Sequence, residues 1–354
     1  MLYQTENQHG GDVYGGGITL DFSANTNPLG TPPGVLEAVR RGLPQLHRYP
    51  DPYCRRLVQA IASHEQVPAS YILCGNGAAD LIYTYCAALR PRTAVELAPT
   101  FVEYGAGLAQ VGCRVERYFL HQAQNFDLDE RFLSFLEGKK PELVFLCNPN
   151  NPTGRLIPLP LLEQILQYCA AQGAHLFLDE CFLDLTEDGV SAKSLLAAHP
   201  ELLILKAFTK SYGMAGIRLG YCLCADSALL HRMASASQPW NVSSLAQSAG
   251  VAALAEQDFL RRTRELIRTE RRWLTDNLTA LGFWVCPSHA NYLLFRGPLG
   301  LREGLLQQGI AIRGCENYSG LDDGWYRIAV RPHEENEALI TAIRQFCKEK
   351  ALWQ

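Results

Sequence analysis

The sequence predicts an α/β fold: a mostly parallel sheet covered by helices, followed by a smaller α+β unit. Between about residues 35 and 226, short apolar runs alternate with helical periods, the pattern of strands joined by crossover helices. The clearest of these runs are short and apolar in character, as strands buried on both faces should be. After a helical region at 227–281 come strand signals at 292–295, 310–313 and 325–330, closed by a helix at 334–350.

The elements follow in order. Residues 1–17 are polar and glycine-rich, without the basic segment and apolar core of a secretory signal. A short strand is expected at 18–22, a turn-rich stretch at 23–34 and an amphipathic helix at 35–43. Strands are expected at 93–97, 143–147, 175–178, 202–207 and 219–224, and an apolar helix at 81–89 behind Gly75-Asn76-Gly77. The division expected is an arm, 1–34, contributing to the active site, a large cofactor-binding domain, 35–240, and a small domain, 241–354.

Composition excludes several classes. With 354 residues, 47% hydrophobic and 19% charged, the chain can bury a large core. A net charge of -4 and the lack of a Lys/Arg run argue against a nucleic-acid partner. No apolar run is long enough to cross a bilayer. Twelve cysteines are scattered without a CxxC pair of metal spacing, so thiols in a reducing cytoplasm are expected, with neither a disulfide framework nor a metal.

Chemistry concentrates in a few strings. Lys210 follows an apolar strand in Ala207-Phe208-Thr209-Lys210-Ser211-Tyr212-Gly213, with Arg218 eight residues on. A lone lysine there would be a surface charge, but Thr209 and Arg218 suit a phosphate. An amine beside a bound phosphate is what a Schiff-base enzyme needs. Asp179 ends a strand, where it caps the next segment or faces a pyridinium nitrogen. Asn148-Pro149-Asn150-Asn151-Pro152-Thr153-Gly154 is turn chemistry with two Asn-Pro units at a strand end, more than a turn needs. Gly77 and Ala78 open a helix whose free N–H groups could cradle a phosphate. Phe101, at another strand end, either stacks on a flat cofactor or packs in the core.

Together these motifs occur in the order seen in the fold-type I pyridoxal 5'-phosphate (PLP) enzymes, and the sequence resembles that family over nearly its whole length. The resemblance implies an aspartate-aminotransferase-like fold. It makes Lys210 the Schiff-base lysine, pairs Asp179 with the pyridinium, brings Asn151 to the ring oxygen and stacks Phe101 on the ring. Gly77, Ala78, Thr209 and Arg218 would hold the phosphate, and Tyr49 would reach the cofactor phosphate of a neighbouring subunit in a homodimer.

Within the family the chain is similar to the branch of histidinol-phosphate aminotransferases and L-threonine O-3-phosphate decarboxylases. His9-Gly10-Gly11-Asp12, the stretch from Asp21 to Gly30 and the stretch from Ile312 to Asp322 resemble the decarboxylases more closely. That resemblance implies that His9, Gly10 and Asn25 contact the substrate and that Arg313 and Arg327 bind its anionic groups. The product implied is (R)-1-amino-2-propanol O-2-phosphate, used in cobalamin (corrinoid) assembly. The alternative is a histidinol-phosphate or related class I/II aminotransferase. A PLP-binding regulator would need a separate DNA-binding module, whereas the enzyme fold starts here within thirty residues. Two positions depart from the aminotransferase pattern. Phe182 replaces a tyrosine that bonds the ring oxygen, and Ala207 replaces a hydroxyl to the phosphate, which implies weaker cofactor retention.

Overall fold

The structure, a computed structural model, describes residues 9–350, so the first eight residues of the expected arm lie outside the described residues. After a two-residue strand, Leu20–Asp21 (β1), the chain builds a main sheet. Its strands are Ile72–Gly75 (β2), Thr93–Ala98 (β3), Arg114–Phe119 (β4), Leu143–Cys147 (β5), His175–Asp179 (β6), Leu202–Ala207 (β7) and Gly220–Cys224 (β8). The order is β2-β8-β7-β6-β5-β3-β4, and β8 alone runs against its neighbours.

Side-chain alternation explains the unbroken apolar runs. In β5, Val144 and Leu146 enter one core while Leu143, Phe145 and Cys147 enter the other, and β6 and β7 divide likewise. Helices Arg55–Glu65, Arg131–Lys139 and Leu159–Gln172 close the first face. Ala78–Leu89, Glu103–Gln110 and Ser227–Ala236 close the second. In these central strands no solvent face remains to be made polar, whereas the edge strand β4 exposes Arg114 and Arg117.

A second, antiparallel sheet contains Trp284–Val285 (β9) and Tyr292–Arg296 (β10). Beyond Ile310–Ala311 (β11), it is completed by Arg313–Gly314 (β12) and Trp325–Ala329 (β13). Helices Phe259–Ala280 and His333–Glu349 share its core, where Leu274, Leu278, Leu339 and Ile343 meet Leu293, Phe295 and Ile328. The single strand expected at 310–313 is in fact two. β11 pairs in parallel with β1, whereas β12 pairs with β13. The chain leaves the arm at Ile312 and enters the small sheet, which brings Arg313 into register with Arg327. Among the described residues no helix is long and apolar enough to cross a membrane.

Candidate active site

The carboxyl ends of β2, β3, β5, β6 and β7 meet at one edge of the main sheet. Because β8 is reversed, Gly220 at its start pairs with both Gly75 and Ala207. Ala78, Phe101, Asn151, Asp179, Thr209, Lys210 and Arg218 therefore converge on one cavity of about 380 Å³, where ligands of open α/β sheets bind. The arm adds His9, Gly10 and Asn25 to its wall, and the small sheet adds Arg313 and Arg327.

Two expected residues stand outside that wall. Gly77 caps helix Ala78–Leu89 with φ 86°, and a Cβ there would come within 2.7 Å of Arg218 Nη2. Only glycine permits the guanidinium to lie so close to the helix start. The N–H groups of this helix start, the Thr209 hydroxyl and Arg218 are the groups here that could hold a phosphate. Tyr49 is 80% exposed, its ring 4.7 Å from that of Trp240, away from the cavity of its own chain.

Asp179 is buried, and its Oδ2 accepts the Tyr104 hydroxyl at 2.6 Å while Oδ1 accepts the Cys181 N–H at 2.9 Å. Burial raises its pKa, opposed by those two donors and by the charge of Lys210. A buried carboxylate in this state gains most from a cationic partner such as a protonated ring nitrogen. Burial, then the charges of Arg327 and Arg218, push Lys210 down to about 8. That value makes its amine a usable nucleophile near neutral pH.

Arg327 Nη1 donates to Asn151 Oδ1 at 2.6 Å, and Nη2 donates to the Ser23 carbonyl at 2.8 Å. Asn151 thus keeps its amide N–H₂ as the group that can meet a ring oxygen. Arg313 Nη2 donates to Asn317 Oδ1 at 2.7 Å. Asn25 Oδ1 and Arg327 Nε are buried without a hydrogen-bond partner, although buried polar atoms are nearly always satisfied. Both residues line the cavity. A flat phosphorylated aldehyde with an anionic substrate fits these residues. Phe182 lies edge-on to Tyr292 at 5.0 Å and offers the cavity no hydroxyl; Ala207 also lines it.

Sequence reasoning missed Tyr104, Glu103, Ser23 and Tyr318, whose hydroxyl takes an Arg327 bond at 3.3 Å. Tyr104 reads as helix core, since its ring stacks on Phe145 at 5.0 Å. Its buried hydroxyl, which needs a partner, is the only local signal.

The chain belongs to the aminotransferase class I and II family, whose model matches residues 18–343, and the family's enzymes use PLP. Among particular proteins, it is 41% identical over 331 residues to threonine-phosphate decarboxylase of Salmonella typhimurium, covering 92% of this chain and 90% of that one. It is 32% identical over 339 residues to histidinol-phosphate aminotransferase 1 of Cupriavidus pinatubonensis, covering 93% and 88%. The solved histidinol-phosphate aminotransferase of Clostridium acetobutylicum superposes with a TM-score of 0.87 at 28% identity, covering 93% of this chain and 99% of that one.

Proposed function

We propose that the protein binds PLP at Lys210 and decarboxylates L-threonine O-3-phosphate to (R)-1-amino-2-propanol O-2-phosphate, for cobalamin assembly. One observation carries the reading: two buried arginines, Arg313 and Arg327, stand opposite each other in the cavity wall, where a substrate with two anionic groups fits.

Gly77, Ala78, Thr209 and Arg218 would hold the cofactor phosphate, with Asp179 for the ring nitrogen, Asn151 for the ring oxygen and Phe101 for one ring face. The bound cofactor supplies an electron sink for the substrate's α-carbon. Arg327, fixed by Asn151 and Ser23, would hold the substrate carboxylate and so set its orientation at the α-carbon. A carboxylate held in this way would favour loss of carbon dioxide over loss of the α-hydrogen. Arg313, His9, Gly10 and Asn25 take the substrate phosphate. Lys210 Nζ delivers a proton to Cα, so one C–C bond breaks and one C–H bond forms.

The active unit in this reading is a homodimer. Leu36, Leu43, Leu46, Tyr53 and Trp240 are exposed along with Tyr49, an apolar set that a second copy would cover while Tyr49 reaches its cofactor phosphate. The arm, large and small domains divide at 34 and 240. The twelve cysteines, eleven of them buried, favour a cytoplasmic setting.

Incubation with L-threonine O-3-phosphate is expected to release carbon dioxide and the amino-propanol phosphate. Glutamate formed from histidinol phosphate and 2-oxoglutarate, with phosphothreonine inert, would replace this reading with the aminotransferase.

A further inference from the structure

Glu103 lines the cavity, its side chain only 16% exposed. Its Oε1 faces His9 Nε2 at 2.6 Å, and its Oε2 accepts the Tyr83 hydroxyl at 2.6 Å. Three elements meet at this carboxylate. His9 is in the arm, Tyr83 is on the helix whose start could hold a phosphate, and Glu103 opens the helix after Phe101. The His9 ring also leans on Phe101, with centroids 5.9 Å apart.

The arm's path beside His9 is equally specified. Gly11 N donates to Ser23 Oγ at 2.8 Å, and a Cβ on Gly10 would overlap the Ser23 carbonyl oxygen. The bond from His9, against the opposing effect of burial and with help from Tyr83, holds Glu103 below the ordinary carboxylate value. An ionised carboxylate in the wall of a phosphate site repels its ligand unless a donor stands between them. His9 is that donor, a ring with a nitrogen on either side.

We propose that Glu103, braced by Tyr83, is a positioning residue that holds the His9 ring over the cavity to receive the substrate phosphate and latches the arm across the site. This rests on His9 being a phosphate ligand, as read above. Glu103 then acts only through His9, which a structural carboxylate would not do.

The test is a double-mutant cycle of His9→Ala and Glu103→Gln in the holoenzyme, with L-threonine O-3-phosphate as substrate. Glu103→Gln is expected to raise KM about tenfold with kcat within about twofold, the loss of one charge-assisted bond. Tyr83→Phe should act in the same direction, and Glu103→Asp should recover part of the loss. In the His9→Ala background, Glu103→Gln should change KM no further. Calorimetric binding of the amino-propanol phosphate should repeat the cycle without turnover. Additive effects, or a fall in kcat at constant KM, would overturn the latch. If His9→Ala raises KM and Glu103→Gln does not, the latch alone fails. If His9→Ala leaves KM unchanged, the reading of His9 fails first.

Discussion

Arg313 and Arg327 lie directly opposite each other on β12 and β13, both buried in the wall of the same cavity. Like charges directly opposite each other on paired strands are destabilising. An arrangement that costs stability in the empty site is repaired by an anionic ligand. Arg313→Met is therefore expected to leave the melting temperature of the holoenzyme unchanged or raised, while KM for the phosphorylated substrate increases at least about tenfold. Calorimetric melting with and without substrate checks both halves. A lowered melting temperature with unchanged KM would mean that Arg313 is structural.

Lys210→Ala should abolish covalent attachment of the cofactor. Borohydride treatment of the wild type with PLP is expected to leave a mass adduct on the peptide carrying Lys210, and the variant should show none. An adduct on another lysine would remove the foundation of the proposed function.

The depressed pKa of Lys210 sets a pH dependence. In the cofactor-free protein this lysine titrates at about 8, whereas an unfolded lysine holds its proton to about 10.4. Between those values the unfolded state binds more protons, so stability rises with pH there, and the penalty is fully present below pH 8. The neutral amine is the nucleophile, so adduct formation should be about tenfold faster at pH 9 than at pH 7 and then level off. A rate still climbing in proportion to hydroxide above pH 9 would contradict this value.

Tyr104→Phe removes the hydroxyl that donates to Asp179 at 2.6 Å and leaves the stacking on Phe145 in place. The expected result is PLP affinity weaker by about 1–2 kcal/mol, roughly five- to thirtyfold, together with a loss of about 1–3 kcal/mol in stability of the cofactor-free protein, whose buried Asp179 Oδ2 loses its donor. Fluorescence titration with PLP measures it. Equal affinities would show that Tyr104 does not orient Asp179.

Beneath the Lys210 turn, Lys206 Nζ lies 2.8 Å from Asp184 and 3.1 Å from Glu65, both Lys206 and Glu65 being buried. Burial works against ionisation of Glu65, but Lys206, Lys193 and the Tyr221 hydroxyl outweigh it and hold the carboxyl at about 2. Lys206→Met removes one buried cation but leaves Glu65 bonded to Lys193 and Tyr221, so a loss of about 1–3 kcal/mol in denaturant unfolding is expected. A loss under about 1 kcal/mol would indicate that water reaches the pair.

The main-sheet strands at 143–147 and 202–207 match β5 and β7 residue for residue, because a strand buried on both faces is written as a largely apolar run, broken in β7 only by Lys206. The small sheet was less legible. Residues 310–313 form one apolar segment in sequence, and nothing local shows that Ile310 and Ala311 pair with the arm while Arg313 pairs with Arg327. Tyr104 was equally hidden, since a tyrosine in an apolar helix reads as packing until a partner for its hydroxyl is seen.

The sequence by itself determined the chemistry: an amine at position 210 with hydroxyl and guanidinium neighbours, a carboxylate closing β6, and a glycine-led helix. These are properties of residue type and short-range spacing, which survive without a fold. Tertiary structure alone decided which groups meet. Arg327 reaches Asn151 across 176 positions and His9 reaches Glu103 across 94. Such contacts depend on strand order, on the reversed direction of β8 and on the register of β12 against β13, which no local pattern encodes.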